Sequence, residues 1–402
     1  MYISFFRPKI SLLSAAVFLL NLVTCQVFAQ HTSDAQGGQT LLERVTKNEK
    51  GIDRADMSIQ LATSGAAYFS DWSLDQTKFE AQRVRIELTG KFNDKFSYHY
   101  RQSLNQYRST NVSLDKLEGT IEMAAVAWQM NSRWQLTLGK QATQLSGYEY
   151  WVNAIRVREY SDFNCTVPAY MAGVNMKYDI SPTQSLNFQV VNNQLGSMED
   201  QYAAGLPADI EKAKAPLLTT VNWDGKFLNE ALQFRYSLSY GQQARKNNIL
   251  YFTCGNVWNR KPILAYIDFM YSCEDLDSKG FLSTNLFDTE GNTQTLRNVD
   301  YFTTIAYFDY QVLPRLKFYT KGCFEMGRLR KSGDMHPAGV YRRSWNAQFC
   351  AEYYPLKEHD LTLYMHLNYR NTHFTHQARM RGAESVNNQK IALGLVYALP
   401  VF

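Results

Sequence analysis

Arg156 and Arg158 lie one residue apart in a stretch, 133–163, that also carries Tyr148, Glu149, Tyr150, Glu159, Tyr160 and Asp162. A guanidinium presents a planar fork of donors that matches phosphate or carboxylate oxygens, which the point charge of lysine does not imitate. In an extended segment, residues two apart point to the same side, so the pair fits a shared anion-binding face. The carboxylates nearby fit equally well as partners that lock the segment's own shape. Further cations recur wherever polar and apolar residues alternate: Arg83, Arg85, Arg101, Lys177, Arg235, Lys317, Lys321 and Arg370. Lining a narrow aqueous passage, such charges focus the field inside it and set its ion preference. Glu87, Glu325 and Glu352 fall among them, so a mixed, solvated lining is the competing reading.

Signatures of catalysis are missing. The chain has no Gly-x-Ser-x-Gly, no His-Glu-x-x-His and no glycine loop of the kind that cradles phosphate. His373 and His376 are three apart but stand on a loop without an acidic or cysteine partner, a poor metal site. No cofactor, no metal and no turnover chemistry are expected.

The elements that would position these groups are strands. In LTLYMHLNYR, Leu361, Leu363, Met365, Leu367 and Tyr369 alternate with Thr362, Tyr364, His366, Asn368 and Arg370, which gives one apolar and one polar face. The same period runs through 231–241, 315–329 and 340–354. Such segments are expected at 56–68, 79–91, 96–104, 119–131, 133–142, 169–179, 184–193, 216–226, 231–241, 248–258, 261–271, 298–310, 315–329, 340–354, 359–372 and 388–402. An even number of strands near the roughly 9 to 11 residues of a tilted membrane strand suits a single-chain bacterial barrel. Tight turns such as 92–95, 180–183 and 355–358 alternate with long links such as 105–118, 143–168, 194–215 and 272–297. That asymmetry belongs to a barrel with short periplasmic turns and long extracellular loops. Closure also removes the unpaired edges that hydrocarbon does not tolerate. The expected fold is all-β, a 16-stranded antiparallel transmembrane β-barrel over 56–402, with an inward-folded third extracellular loop at 143–168.

Outside the barrel, 1–29 reads as a signal peptide: Arg7 and Lys9 precede a mostly apolar run, and Ala29 ends a plausible cleavage site. Residues 30–55 read as a periplasmic tether or short helix. Beyond Ala29 no apolar run reaches the roughly 18 residues of a membrane helix. The formal charge is +5, of which Arg7 and Lys9 supply two, so a nucleic-acid partner is not expected. Cys165, Cys254, Cys273, Cys323 and Cys350 are widely spaced. Cys323 and Cys350 lie on consecutive polar phases, nearly equidistant from 336–337, so a cross-strand disulfide and free thiols are both open. Pairs such as Tyr251-Phe252, Tyr301-Phe302 and Tyr307-Phe308 fall where aromatic girdles would meet the headgroups. Pro400 interrupts the phase between the apolar set of the last strand and Phe402, and a bulge there would restore it.

Arg83-Val84-Arg85-Ile86-Glu87-Leu88-Thr89-Gly90-Lys91-Phe92 with Phe96-Ser97-Tyr98, Leu138-Gly139-Lys140-Gln141, Gly147-Tyr148-Glu149-Tyr150 and Tyr160-Ser161-Asp162-Phe163 resemble the phosphate-selective porin O and P family. The resemblance implies a sixteen-stranded homotrimeric barrel whose third long loop constricts the pore. It also implies an anion grip in which Arg83 and Arg85 are the matching positions. The function expected is passive diffusion of small hydrophilic solutes across the outer membrane of a Gram-negative bacterium, with a lean toward anions such as phosphate. Two other classes compete: a structural or receptor barrel whose long loops, particularly 272–297, bind a partner, and a barrel enzyme using His99 with Ser97 or Ser103.

Overall fold

The computed structural model describes residues 55–105, 115–117, 119–145, 147–288, 290–333, 336–356 and 360–401. The expected signal peptide, nearly all of the tether and Phe402 lie outside the described residues. The first eight strands are β1 (Ala55–Ser70), β2 (Ser73–Lys91), β3 (Phe96–Ser103), β4 (Ile121–Gln129), β5 (Trp134–Ala142), β6 (Tyr170–Ser181), β7 (Gln184–Asn192) and β8 (Leu217–Phe227). The ring continues through β9 (Leu232–Ala244), β10 (Asn247–Arg260), β11 (Ile263–Leu276), β12 (Arg297–Leu313), β13 (Leu316–Leu329), β14 (Gly339–Tyr353), β15 (Asp360–Phe374) and β16 (Val386–Pro400). Each strand pairs antiparallel with its sequence neighbours, and β1 pairs with β16, which closes the sheet into a sixteen-stranded barrel. No helix among the described residues is long and apolar enough to cross a membrane.

Alternation in sequence becomes two faces in space. On β14, Arg342, Ser344, Asn346, Gln348, Cys350 and Glu352 are buried, while Trp345, Phe349 and Tyr353 are exposed. The buried phase is polar and the exposed phase apolar, the reverse of a soluble protein and the pattern of a barrel bathed in lipid. Neutral polar residues form ladders across the buried face: Asn175 donates to Asn187 at 3.2 Å, Asn187 donates to Asn222 at 3.1 Å, and Thr220 donates to Ser239 at 2.8 Å.

The structure decides four points that the sequence had open or placed otherwise. The link 69–78 is not a loop: β1 and β2 run on to a two-residue turn at Asp71 and Trp72, with φ of 48° and 65°. Both central residues are left-handed, as a tight hairpin requires, but Asp-Trp lacks the glycine that announces such a turn. The aromatic pairs do not all face outward. Tyr251 and Tyr301 are buried on the inner phase, while Phe252 and Phe308 are exposed, because adjacent residues of a strand must point to opposite faces. Cys323 lies opposite Asn346 and Cys350 opposite Tyr319, and both thiols are free and buried. A register shift between Gly327 and Arg328 and the placing of the hairpin's centre displace the two cysteines along the ladder. Finally, Pro400 pairs with Ser58 in an unbroken β1–β16 register, so no bulge forms there.

Candidate functional site

The segment between β5 and β6 is built from three short turns of helix. Tyr148–Trp151 forms one, Ala154–Arg156 a 3-10 turn, and Asp162–Thr166 a third whose Ser161 cap accepts from the Asn164 backbone N–H at 3.3 Å. The segment around Arg156 and Arg158 is therefore not a continuous extended run, and the two arginines diverge to separate partners. Arg156 pairs with Asp360 at 2.5 Å in an exposed contact. Arg158 is buried, donates to Glu352 at 2.9 Å and to the Ile155 carbonyl at 3.0 Å, and stacks over Tyr364 at 4.0 Å.

Glu149 is fully buried, and four donors converge on its carboxylate. Lys321 Nζ reaches it at 2.6 Å, Asn164 Nδ2 at 2.6 Å, Ser161 Oγ at 2.8 Å and the Ser161 N–H at 3.2 Å. Burial pushes its carboxyl up, but the Lys321 ammonium and the hydrogen bonds outweigh this and hold it below the usual carboxylate range. Lys321 also donates to the Glu159 carbonyl. Asp162 bridges Arg342, at 2.5 Å, and Arg370. Burial again opposes its ionisation, and the two guanidiniums prevail and lower its pKa.

Backbone contacts complete the docking. Asp268 on β11 accepts from the Glu149 N–H at 2.8 Å. A Cβ at Gly255 would stand 2.8 Å from the Tyr148 nitrogen, and one at Gly147 would stand 2.5 Å from the Asp268 carboxyl carbon. Two glycines thus permit the close approach of segment and wall. Tyr148 packs on Tyr266 with ring centroids 5.1 Å apart. The Tyr150 hydroxyl lies 3.1 Å from that of Thr143 and donates to the Ala169 carbonyl. The Tyr160 carbonyl accepts from Arg370 at 3.3 Å. Lys321 sits on β13, eight strands from β5 in a ring of sixteen.

The remaining expected cations divide by partner. Arg235 pairs with Asp224 at 2.6 Å and lies 3.8 Å over the Trp151 ring. Lys317 holds Glu352 at 3.0 Å, and Lys177 holds Asp179 at 2.8 Å. Arg101 and Arg85 share Glu122, each at 2.9 Å. Arg83 has neither an ion pair nor a hydrogen bond among the described residues, and its Nη1 is buried without a partner, as are Nε and Nη1 of Arg85. Arg83, Arg85, Tyr150 and Tyr160 line a cavity of about 660 Å³, together with residues of β4, β5 and β6. A second cavity of about 530 Å³ lies along β2 to β5, lined by Thr89, His99, Ala127 and Thr137.

A profile of the family described as phosphate-selective porin O and P matches residues 60–399. The chain belongs to that family. This porin's fold recurs in solved structures. The outer membrane channel DcaP of Acinetobacter baumannii aligns at 12% identity and TM-score 0.57, covering 87% of this chain and 99% of that one. OmpF of Salmonella typhi, in complex with daunomycin, aligns at 9% identity and TM-score 0.56, covering 86% and 98%. An anion-selective porin from Comamonas acidovorans aligns at 8% identity and TM-score 0.53, covering 86% and 99%. At such identities the likeness is one of fold. No curated protein matches the sequence of this porin.

Several residues that build the site escaped the sequence reading. Arg342 sits on the polar phase of β14 and was open to the parity argument. Asp268 and Gly255 gave no signal, and Gly147 stood out only within its motif, because their role depends on a contact between distant segments. The loop after β11 is another such case. Lys279 lies within 5.5 Å of the Phe163, Tyr251 and Tyr301 rings and pairs with Glu274.

Proposed function

We propose that this porin is a passive outer-membrane channel for small hydrophilic solutes that favours anions, and that residues 143–168 cross the barrel interior as its constriction. The observation that carries the reading is the division of charge. Lys321, Arg342, Arg370 and Arg158 are consumed by carboxylates of the segment or the wall, whereas the Arg83 side chain has no partner among the described residues and lines a cavity. An unpaired guanidinium in a confined passage sets the sign of the local field. On this reading the segment is a strut fixed to the β11–β15 side, and solute passes along the wall that carries Arg83 and Arg85. Arg158 acts as part of the strut. Family membership supports an outer-membrane location, and a homotrimer is the assembly expected of such a channel.

The receptor alternative is disfavoured by the loop after β11. Leu282 and Leu286 are buried with Tyr341 and Phe374, so this loop is packed down rather than presented. For the enzyme alternative, His99 contacts Glu87 at 2.7 Å, and the Ser103 hydroxyl is turned to Asn105 at 3.4 Å. Reversal potentials across planar bilayers in a KCl gradient test the proposal. A chloride-favouring potential that weakens in Arg83→Gln is expected; a cation-favouring potential in the unaltered porin refutes the anion reading.

A further inference from the structure

Resting on the anion-channel reading, we propose that the cavity beside Arg83 and Arg85 selects organic monoanions, carboxylates with a flat or branched apolar body about the size of benzoate, over inorganic phosphate. The first argument is charge. Lining this cavity, Arg83, Arg85 and Lys140 are set against Glu122 and Asp200, an excess of one cation. Glu122 binds both Arg85 and Arg101, and Lys140 holds Asp115 at 2.9 Å. A doubly charged, strongly hydrated anion placed here faces Glu122 and finds one uncommitted guanidinium. A single carboxylate finds its match, because the Arg83 fork accepts two oxygens at once.

The second argument is the rest of the cavity's lining. Ile121, Val167, Leu195 and Ile249 line it, with the rings of Tyr160 and Tyr170. The Arg101 guanidinium lies 4.7 Å over the Tyr170 ring, so cation and aromatic surfaces are continuous. An apolar wall does nothing for phosphate, whose shell of water it cannot replace. For a ligand with a hydrocarbon body, the same wall removes apolar surface from water. Charged and apolar lining side by side in one concavity suit a ligand with a charged end and a hydrocarbon body, and about 660 Å³ leaves room for such a ligand with accompanying water.

The test uses the purified full-length porin in planar bilayers in KCl, with benzoate, acetate, phosphate and benzyl alcohol as probes and the half-blocking concentration as the readout. Benzoate is expected to block at a concentration at least about tenfold below acetate or phosphate, and benzyl alcohol is expected not to block. Arg83→Gln raises the benzoate value by about tenfold, the low end for losing a charged hydrogen bond. Leu195→Asn raises the benzoate value severalfold and leaves acetate in place. Phosphate blocking at or below the benzoate concentration overturns the proposal, as does benzyl alcohol matching benzoate. An unchanged benzoate-to-acetate ratio in Leu195→Asn also overturns it. Reversal potentials in the same bilayers report the anion preference separately. Chloride selectivity with phosphate as the better blocker therefore sinks this inference alone, whereas loss of chloride selectivity sinks the reading beneath it.

Discussion

Replacing Lys321 by methionine removes an ammonium from a carboxylate that water does not reach. Glu149 is fully buried, and of its four donors only Lys321 carries charge. Taking one partner from a buried ion pair costs about 3–5 kcal/mol, because the remaining charge stays desolvated. The neutral donors Ser161 and Asn164 soften this, so the lower end, about 3 kcal/mol, is the expected loss in urea unfolding from phospholipid vesicles. The Lys321 contact with the Glu159 carbonyl is lost as well, so the segment is expected to loosen and single-channel conductance to rise and become noisier. Glu149→Gln combined with Lys321→Met removes both charges at similar volume and is expected to recover about 2 kcal/mol of the single-variant loss. A Lys321→Met porin within about 1 kcal/mol of the parent, below the cost of a broken buried pair, refutes the electrostatic account. So does a double variant whose loss equals the sum of the singles, since contacting residues in one network do not add.

Acid tests the same anchorage. The carboxyls of Glu149 and Asp162 sit below their ordinary values, so their stabilisation is complete above the unfolded value near ~4 and is lost only as pH falls through the lower folded value. The stability lost in Lys321→Met is therefore expected to be the same from neutral pH down to about 4.5 and to shrink only below that; a difference between parent and variant that vanishes near neutral pH contradicts the assignment. Cys165 is exposed and lines the cavity, and desolvation there together with Asp162, Glu159 and Glu149 pushes its thiol up to about 12. Blockade by a thiosulfonate reagent should speed up about tenfold per pH unit from 7 to 9, since the thiolate is the reacting form. It should vanish in Cys165→Ser, and a rate that levels off near pH 8.5 refutes it. Arg158→Ala should cost about 1–2 kcal/mol, because Lys317 still neutralises Glu352. Arg156→Ala, losing an exposed pair, should cost no more than about 0.5 kcal/mol. Reversal potentials should stay put in both, and a shift in either restores a filter role. Gly255→Val should crowd the Tyr148 nitrogen and raise conductance, and an unaltered channel argues against close docking.

The barrel was legible in the sequence because its rule is local. A period of two needs only neighbouring residues, and it placed β14 and β15 with Glu352, His366 and Arg370 on one phase. Partner identity is not local. Glu149 and Lys321 are 172 residues apart, and Asp162 and Arg370 are 208 apart. No pattern in either segment announces the other. The same limit explains the cysteines, whose distance along the ladder is fixed by a register shift and a hairpin centre rather than by strand phase. It also explains why Arg83 and Arg85 looked alike in sequence although one of them shares a carboxylate and the other does not.

The partners of the segment have a consequence for assembly. The cations that hold Glu149 and Asp162 come from β13, β14 and β15, near the end of the chain and late to leave the ribosome. Until those strands arrive, Glu149 and Asp162 have no cation to receive them and remain in water, where they are most soluble. The nascent protein therefore carries an acidic, undocked arm through export. On the proposed role of this segment as the constriction, the aperture narrows only when the final hairpins join the ring.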